Sequence, residues 1–476
     1  MSAAKPVDIV ILTNGPGEVA TWVKPVVQAL VKQTCGENVP TKAQTPAPRE
    51  AQTPAQTDVR ISVILSPCPH ASGQEHMTLA QYPEVDRVQS ADQFFKFLLT
   101  GKTADNWDWH PNGVVVFLGG DQLYTVLVAK RIGQKTGRSY RTVTYAEWDA
   151  RWPNLIDRFG VMQAALAKKA PVKHQDKFVV VGDLMADVQA TANRLEITTA
   201  LGCEPESELI GFLPGSKPMK LKIGVPIMLK IAQILHNQNP NKDYTYVIGV
   251  APNLTLTDLT HYADPEKNSA IALFKSPPVT LITPENGLPY LNIKTGTPTS
   301  TQDSAQNSAQ NSAQNDIKIV LWQRFPALDL FSQCALCFTT VGANTAQLGA
   351  LATPMFVLLP TQQLDGLSIA DGLPGLIAQL PGIGQFARKV INPLLVKTLQ
   401  KSGKRFAWPN IWAKREVVPE LFGPITAEDV SAIAQDHLTH PEKLTAIRQD
   451  LRTLRGPAGA AHKMATLILE TVNYPV

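Results

Sequence analysis

The chain alternates short, mostly apolar runs with longer stretches in which apolar residues recur at helical spacing. The runs Val7–Leu12, Val59–Leu65, Val114–Leu118, Phe178–Val181, Leu209–Leu213, Tyr244–Val250, Ile317–Trp322, Leu336–Val341 and Met355–Leu359 each close at or near a Gly or Pro turn. Runs of this kind predict strands buried on both faces, as in a parallel sheet. Helices are predicted between them at Trp22–Lys32, Leu123–Gly133, Lys222–Asn237 and Thr345–Ala352. Two more are predicted within Pro441–Thr471, on either side of Gly456. Thr426 is placed to cap a further helix whose first turn carries Glu428 and Asp429. Strand, turn and helix in repeated order predict an α/β fold. The clearest unit is Leu336–Pro360: a strand, the turn Gly342-Ala343-Asn344, a helix stopped by Pro354, and the next strand.

Three segments break the pattern. Residues 36–57 contain AQTPA twice and few core formers, so a disordered loop is expected. Residues 296–315 carry SAQN three times in succession, a low-complexity insertion with nothing to bury. Thr361–Ala407 mixes Leu373, Leu376, Ile377, Leu380 and Ile383 with Arg388, Lys389, Lys397, Lys401, Lys404 and Arg405. Such a segment suits an anionic membrane surface or covers a domain core. The run Phe94–Leu99 is likewise either a core face or an edge that dips into a membrane.

With 476 residues, 44% of them hydrophobic, the chain is long enough for two domains with sizeable cores. A net charge of +4 is too small to argue for nucleic acid. Five cysteines without paired spacing predict no disulfide framework and a reducing compartment. Cys334 and Cys337 form a lone CxxC that runs into a strand, where core packing is expected, and no metal site is expected anywhere. The N-terminus does not read as a signal peptide, and no apolar stretch reaches the ~20 residues of a membrane span. A cytoplasmic protein, soluble or peripheral to a membrane, is expected.

Candidate chemistry sits at the Gly turns. At the start of a helix the first N–H groups lack partners and the dipole favours an anion, so Gly342, Ala343, Asn344 and Thr345 are candidates to hold a phosphate. Gln347, one turn on, is placed to reach a sugar hydroxyl. Gly215, Ser216 and Lys217, followed by Lys220 and Lys222, suit a diphosphate or form a solvated basic turn. Near the N-terminus Asn14-Gly15-Pro16-Gly17-Glu18 makes a second such turn. Glu18 there is a base, a hydroxyl-binding group or simply a first-turn acid. Asp121 follows the run Val114–Leu118, where open α/β sheets place their ligands, and is the leading general-base candidate or a helix N-cap.

These motifs resemble a family. LPGSK at Leu213–Lys217 resembles the LPGSR motif of bacterial lipid-A-disaccharide synthase, and VGANTAQLGALATPMFV resembles its SGTATLEA…PMVV segment. WPNIWAKREVVPELFG at Trp408–Gly423 resembles its LPNLLAGR…VPELLQ segment, and the terminal GPAGAAHKMATLIL resembles its last helix. GPGEV and GGDQ fall where that family has GEASGD and DAPDF. The sequence departs from the pattern at Ala20-Thr21-Trp22, Lys217, Lys220, Gln347 and Gly182-Asp183-Leu184-Met185.

The resemblance implies the GT-B architecture, two Rossmann-like domains facing a cleft. It places an N-terminal acceptor domain at 1–190, a nucleotide-sugar domain at 191–425 and C-terminal helices at 426–476 that pack back toward the first domain. It implies inverting transfer of a sugar from a UDP-sugar to a lipid-linked acceptor, at the inner face of a membrane, with no cofactor beyond the donor substrate. Asp121 and then Glu18 would serve as base. The loops named above, with Asn410 and Glu420, would hold the donor, and Gly15, Gly17 and Trp148 would lie on the acceptor side. A homodimer is left open. Two other readings remain: a UDP-sugar epimerase of the same fold, and a degenerate transferase acting as a membrane-associated binding protein.

Overall fold

The computed structural model describes residues 6–35, 59–294, 316–361 and 405–472, apart from residues 69, 70, 72, 138, 189, 191, 325 and 326. The AQTPA repeats, the SAQN repeats and nearly all of the basic-apolar insertion lie outside the described residues. The chain folds as two compact units. One comprises Met1–Val188 and Arg455–Val476, the other Gln189–Leu454.

The first unit holds seven strands: β1 Val7–Thr13, β2 Val59–Leu65, β3 Arg87–Gln89, β4 Asn112–Phe117, β5 Arg141–Ala146, β6 Arg158–Val161 and β7 Phe178–Val180. They pair in the order β3-β2-β1-β4-β5-β6-β7 and every pairing is parallel. Strand order reverses between β1 and β4, so the sheet is doubly wound with its switch point there. All of β1 is buried because helices cover both faces of the sheet. On one face Val10, Leu12, Ile64 and Val115 pack with Phe94, Phe97, Val128 and Ile132 of the helices Phe94–Thr100 and Gln122–Thr136. Phe94 and Phe97 thus answer to the core reading of that run, while Phe95 and Leu99 face outward. Across the sheet, the helix Ala460–Thr471 packs on β4, β5 and β6 and against the helix Lys24–Cys35.

Asp8 is fully buried in β1, and this needs an account. Arg60 reaches its carboxylate at 2.7 Å, Tyr140 donates its hydroxyl at 2.8 Å, and the His110 amide donates at 2.7 Å. The charge is tolerated because every lone pair that matters has a donor.

The second unit holds β8 Glu208–Leu213, β9 Tyr244–Gly249, β10 Val279–Ile282, β11 Tyr290–Ile293, β12 Ile317–Trp322, β13 Leu336–Thr340, β14 Met355–Pro360 and β15 Glu420–Gly423. Their order is β10-β11-β12-β9-β8-β13-β14-β15. The sheet is parallel except for the hairpin β10–β11, which joins the edge of β12 in antiparallel sense. Its switch point lies between β8 and β13. Ile210 and Phe212 face the long helix Pro218–Gln238, and Leu209 and Leu213 face the opposite core. Cys334 and Cys337 are fully buried, and a Cβ on Gly211 would lie 2.6 Å from Cys337 Sγ and 3.2 Å from Cys334 Sγ. The CxxC therefore fills space over a glycine in the core.

Several expectations need correction. The helix expected from Trp22 begins at Pro16 and passes through a π-helical turn, Val19–Val23, before it becomes regular. The strand β6 and the hairpin β10–β11 had no strong apolar run to announce them. The C-terminal helices divide: Ala427–Thr439, capped by a reciprocal Thr426–Asp429 box, packs on Pro218–Gln238 in the second unit. Only from Arg455 does the chain rejoin the first unit. Arg455 fastens that return by a buried ion pair to Asp183 at 3.0 Å. Burial raises the Asp183 carboxyl above the usual carboxylate range in spite of the Arg455 charge beside it. Asp187 accepts from the Gly459 and Ala461 amides at the start of the last helix.

Candidate functional site

In each doubly wound sheet, the loops leaving the two strands at the switch point diverge and leave a crevice at the carboxyl ends. In the second unit these loops follow β8 and β13. Pro214-Gly215-Ser216-Lys217 leads into the helix Pro218–Gln238, with Lys217 as N-cap and Pro218 at the first helical position. Gly342 caps the helix Ala343–Ala350. Gly215 has φ +102° and Gly342 has φ +148°, conformations that favour glycine.

The two glycines close around Lys220. A Cβ on Gly215 would lie 3.0 Å from Lys220 Cβ and Cδ, and a Cβ on Gly342 would lie 2.8 Å from Lys220 Nζ. The Nζ donates to the Val341 carbonyl. Burial, and then the charge of Lys217, lower its pKa below the ordinary lysine value. Thr340 Oγ1 donates to the Pro214 carbonyl at 3.4 Å, tying the loops at their base, and Asn253 Nδ2 donates to the Ser216 carbonyl at 3.1 Å.

Around the second loop runs a buried frame. Thr345 Oγ1 donates to the Gly342 carbonyl at 2.9 Å and accepts from the Trp408 amide at 3.2 Å. Asn410 is fully buried: its Oδ1 accepts from the Val417 and Val418 amides, and its Nδ2 donates to the Val418 carbonyl and to Glu420 Oε1. Glu420 also accepts from the Phe406 and Ala407 amides.

In the first unit the loops follow β1 and β4. Glu18 ends the short turn Pro16–Glu18, and a Cβ on Gly15 would lie 2.5 Å from its Oε2. Gly119 has φ +136°; a Cβ there would meet Asn14 Oδ1, Glu18 Cγ and Thr13 Oγ1, each at 3.1 Å. A Cβ on Gly120 would lie 2.5 Å from Ser66 Oγ. Glycine at 119 and 120 is what lets Asn14, Glu18 and Ser66 gather over the ends of β1, β2 and β4. Asn14 Oδ1 is buried with no hydrogen-bond partner among the described residues. The Gly17 carbonyl accepts at 2.8 Å from Oγ1 of Thr21, which lies in the π-helical turn. Such turns recur at functional sites.

Asp121 is exposed and caps the helix Gln122–Thr136, its Oδ1 accepting from the Leu123 amide at 2.9 Å and its Oδ2 lying 3.8 Å from Arg151 Nη1. Gln122 latches the following loop by donating to the Asp149 carbonyl and accepting from the Arg151 amide. Trp148 stands on that loop, 51% exposed.

No protein-family model and no curated protein matches the sequence. Solved structures do match. A UDP-GlcNAc 2-epimerase of Neisseria meningitidis, bound to UDP-GlcNAc, aligns over 98% of this chain and 99% of its own at 11% identity, with a TM-score of 0.44. S. aureus MnaA with UDP aligns over 98% of this chain and 97% of its own at 10% identity, with a TM-score of 0.46. A family 9 glycosyl transferase of Veillonella parvula aligns over 92% of this chain and 99% of its own at 12% identity, with a TM-score of 0.37. At these values the likeness carries no argument about chemistry, which rests on this chain's own residues.

The sequence-derived candidates fall into five groups. Gly215, Gly342, Ala343, Asn344 and Gln347 lie along the second unit's crevice and the first turns of its helix. Ser216 and Lys217 are exposed on the outer side of their loop. Thr345, Asn410 and Glu420 spend their side-chain hydrogen bonds on the frame, so they position the loop, and Asn410 has no donor or acceptor left for a ligand. In the first unit Gly15 and Glu18 meet at the switch point, whereas Asp121 and Trp148 stand at its rim. Sequence reasoning counted Lys220 among the lysines of the diphosphate loop but ranked Lys217 ahead of it, and it missed Asn14 and Ser66 as site residues. Lys220 and Asn14 lay inside the motifs quoted above; Ser66 had no signal, since only the pairing of β2 with β1 brings it there.

Proposed function

We propose that the chain is a GT-B-type glycosyltransferase that transfers a sugar, with inversion, from a UDP-sugar to a hydroxyl of a lipid-linked acceptor. The observation that carries the reading is the contrast in charge between two otherwise alike switch points. One is glycine-lined with an inward lysine and suits a diphosphate; the other gathers a carboxylate, an amide and a hydroxyl and suits a neutral, hydroxyl-bearing group. The lipid-linked acceptor, and with it a peripheral position on the inner face of a membrane, is supported by the resemblance to the lipid-A-disaccharide synthase motifs. Among the described residues no helix is long and apolar enough to cross a membrane.

In this mechanism a carboxylate takes the acceptor hydroxyl's proton as the hydroxyl oxygen attacks the anomeric carbon and the bond to the diphosphate breaks. Glu18 is the better placed base, because it lies over Gly15 and Gly119 within the crevice. Asp121 is second, with one carboxylate oxygen already committed to its helix. The negative charge that develops on departing UDP meets the first amides of Ala343 and Asn344 and the ammonium of Lys220. Gln347 contacts the ribose.

The test is to incubate the purified chain with UDP-sugars, with and without a bacterial lipid extract, and to follow UDP release and lipid mass. Lipid-dependent UDP release with a matching gain of one sugar on a lipid is the expected result. Conversion of UDP-N-acetylglucosamine without lipid would replace the reading by epimerisation, and UDP binding with no turnover would replace it by a binding protein.

A further inference from the structure

The first turn of the helix Pro218–Gln238 is electrostatically the wrong way round. The positive end of a helix dipole is stabilised by acidic residues, yet this turn holds none and is flanked by Lys217, Lys220 and Lys222. Lys217 and Lys222 reach solvent. Lys220 is less exposed: it is half-buried between two glycine loops, and among the described residues no carboxylate pairs with it; its contact is the Val341 carbonyl. An ammonium held there without a counter-ion costs stability. Gly342, where any Cβ would stand 2.8 Å from Nζ, keeps the approach open.

We propose that Lys220, rather than Lys217, is the counter-charge for the diphosphate of a bound nucleoside-diphosphate sugar, and that the free protein gives up stability to keep it there. The proposal rests on the sugar-nucleotide reading above and deepens it. In the free protein the Val341 carbonyl is a partial partner; in the complex the diphosphate becomes the full one. Two consequences follow. First, the depressed ammonium regains its proton affinity beside the anion, so binding takes up a proton at alkaline pH, between the free and bound titration points. Second, the lowered folded value means that the unfolded chain binds the proton more tightly. The folded state's deficit is fully present at pH below the depressed value and shrinks as pH rises from there toward the unfolded lysine value.

Calorimetric titration of the full chain with UDP, in buffers of different ionisation enthalpy, tests this alongside Lys220→Met, Lys220→Gln and Lys217→Ala. Lys220→Met and Lys220→Gln should lose roughly 10- to 100-fold in affinity, the span of a charged hydrogen bond. Lys217→Ala should lose less than about fivefold, as for an exposed charge. The native chain should show buffer-dependent proton uptake at alkaline pH, absent from both Lys220 variants. Without ligand, Lys220→Met should melt higher than the native chain by about 2–4 °C, the shift expected for a domain of this size relieved of an unpaired charge. No UDP binding by the native chain would overturn the sugar-nucleotide reading and the role of Lys220 with it. Native binding that survives both Lys220 substitutions, or that takes up no proton, would overturn the role of Lys220 alone. A lower melting temperature with affinity unchanged would show a structural lysine instead.

Discussion

The two switch points share a topology and differ in what fills them. After β1 and β4 the loops converge on Glu18, Asn14 and Ser66; after β8 and β13 they converge on Lys220, which pairs with no carboxylate among the described residues. In both, glycines with positive φ remove the Cβ that would block the approach. A doubly wound sheet thus provides only a crevice and divergent helix ends. The side chain that occupies the glycine gap sets the sign of the charge there, and with it, on the function proposed above, the ligand class. Position outside the gap matters less: Asp121 and Lys217 carry the charges most legible in the motifs, yet one caps a helix at the rim and the other faces solvent.

The largest expected effect separates the two crevices by chemistry. Glu18→Gln keeps the shape but cannot take a proton, so turnover should fall by ~10²–10⁴ with UDP affinity unchanged. Equal turnover by the variant in a lipid-dependent assay would remove Glu18 and leave Asp121 as the base. Next come the glycines. Gly342→Ala and Gly119→Ala each force a side chain into a conformation costing about 1–3 kcal/mol. Gly342→Ala should push Lys220 aside and weaken UDP binding, whereas Gly119→Ala should spare UDP binding and reduce turnover through Asn14 and Glu18. Titration calorimetry paired with a turnover assay on both variants checks this, and loss of UDP binding by Gly119→Ala would break the division of labour. The smallest effect is expected at the rim. Asn caps a helix as well as Asp does, so Asp121→Asn should change melting temperature hardly at all and turnover by less than about threefold. A fall by orders of magnitude would return the base role to Asp121.

Much of the fold could be read from the chain before any coordinates. Val59–Leu65 and Ile317–Trp322 are strands over the residues expected, because most of their positions are apolar and buried in the sheet. The Thr426 cap and the break at Gly456 were likewise legible, since capping chemistry is local. β6 escaped notice because Arg158–Val161 is too short to show a period, and β10–β11 because hairpin strands at a sheet edge alternate weakly. Of the candidate site, the glycine turns with positive φ were legible in the sequence.

What the sequence by itself determined is therefore the local half of the protein: α/β class, strand runs, glycine hinges, caps, and the burial of Cys334 and Cys337. These depend on residue type and spacing within a few positions. Tertiary structure alone decided which strands neighbour which, and so where order reverses in each sheet. It set the Lys220 ammonium beside Gly342 and the Val341 carbonyl, while Lys217 stays exposed at the helix N-cap. It brought Ser66 beside Gly120 through the register of β2 on β1. It also set Asn410 and Glu420 in a loop frame, the buried Asn410 amide satisfying its hydrogen bonds with the backbone and carboxylate that folding places around it.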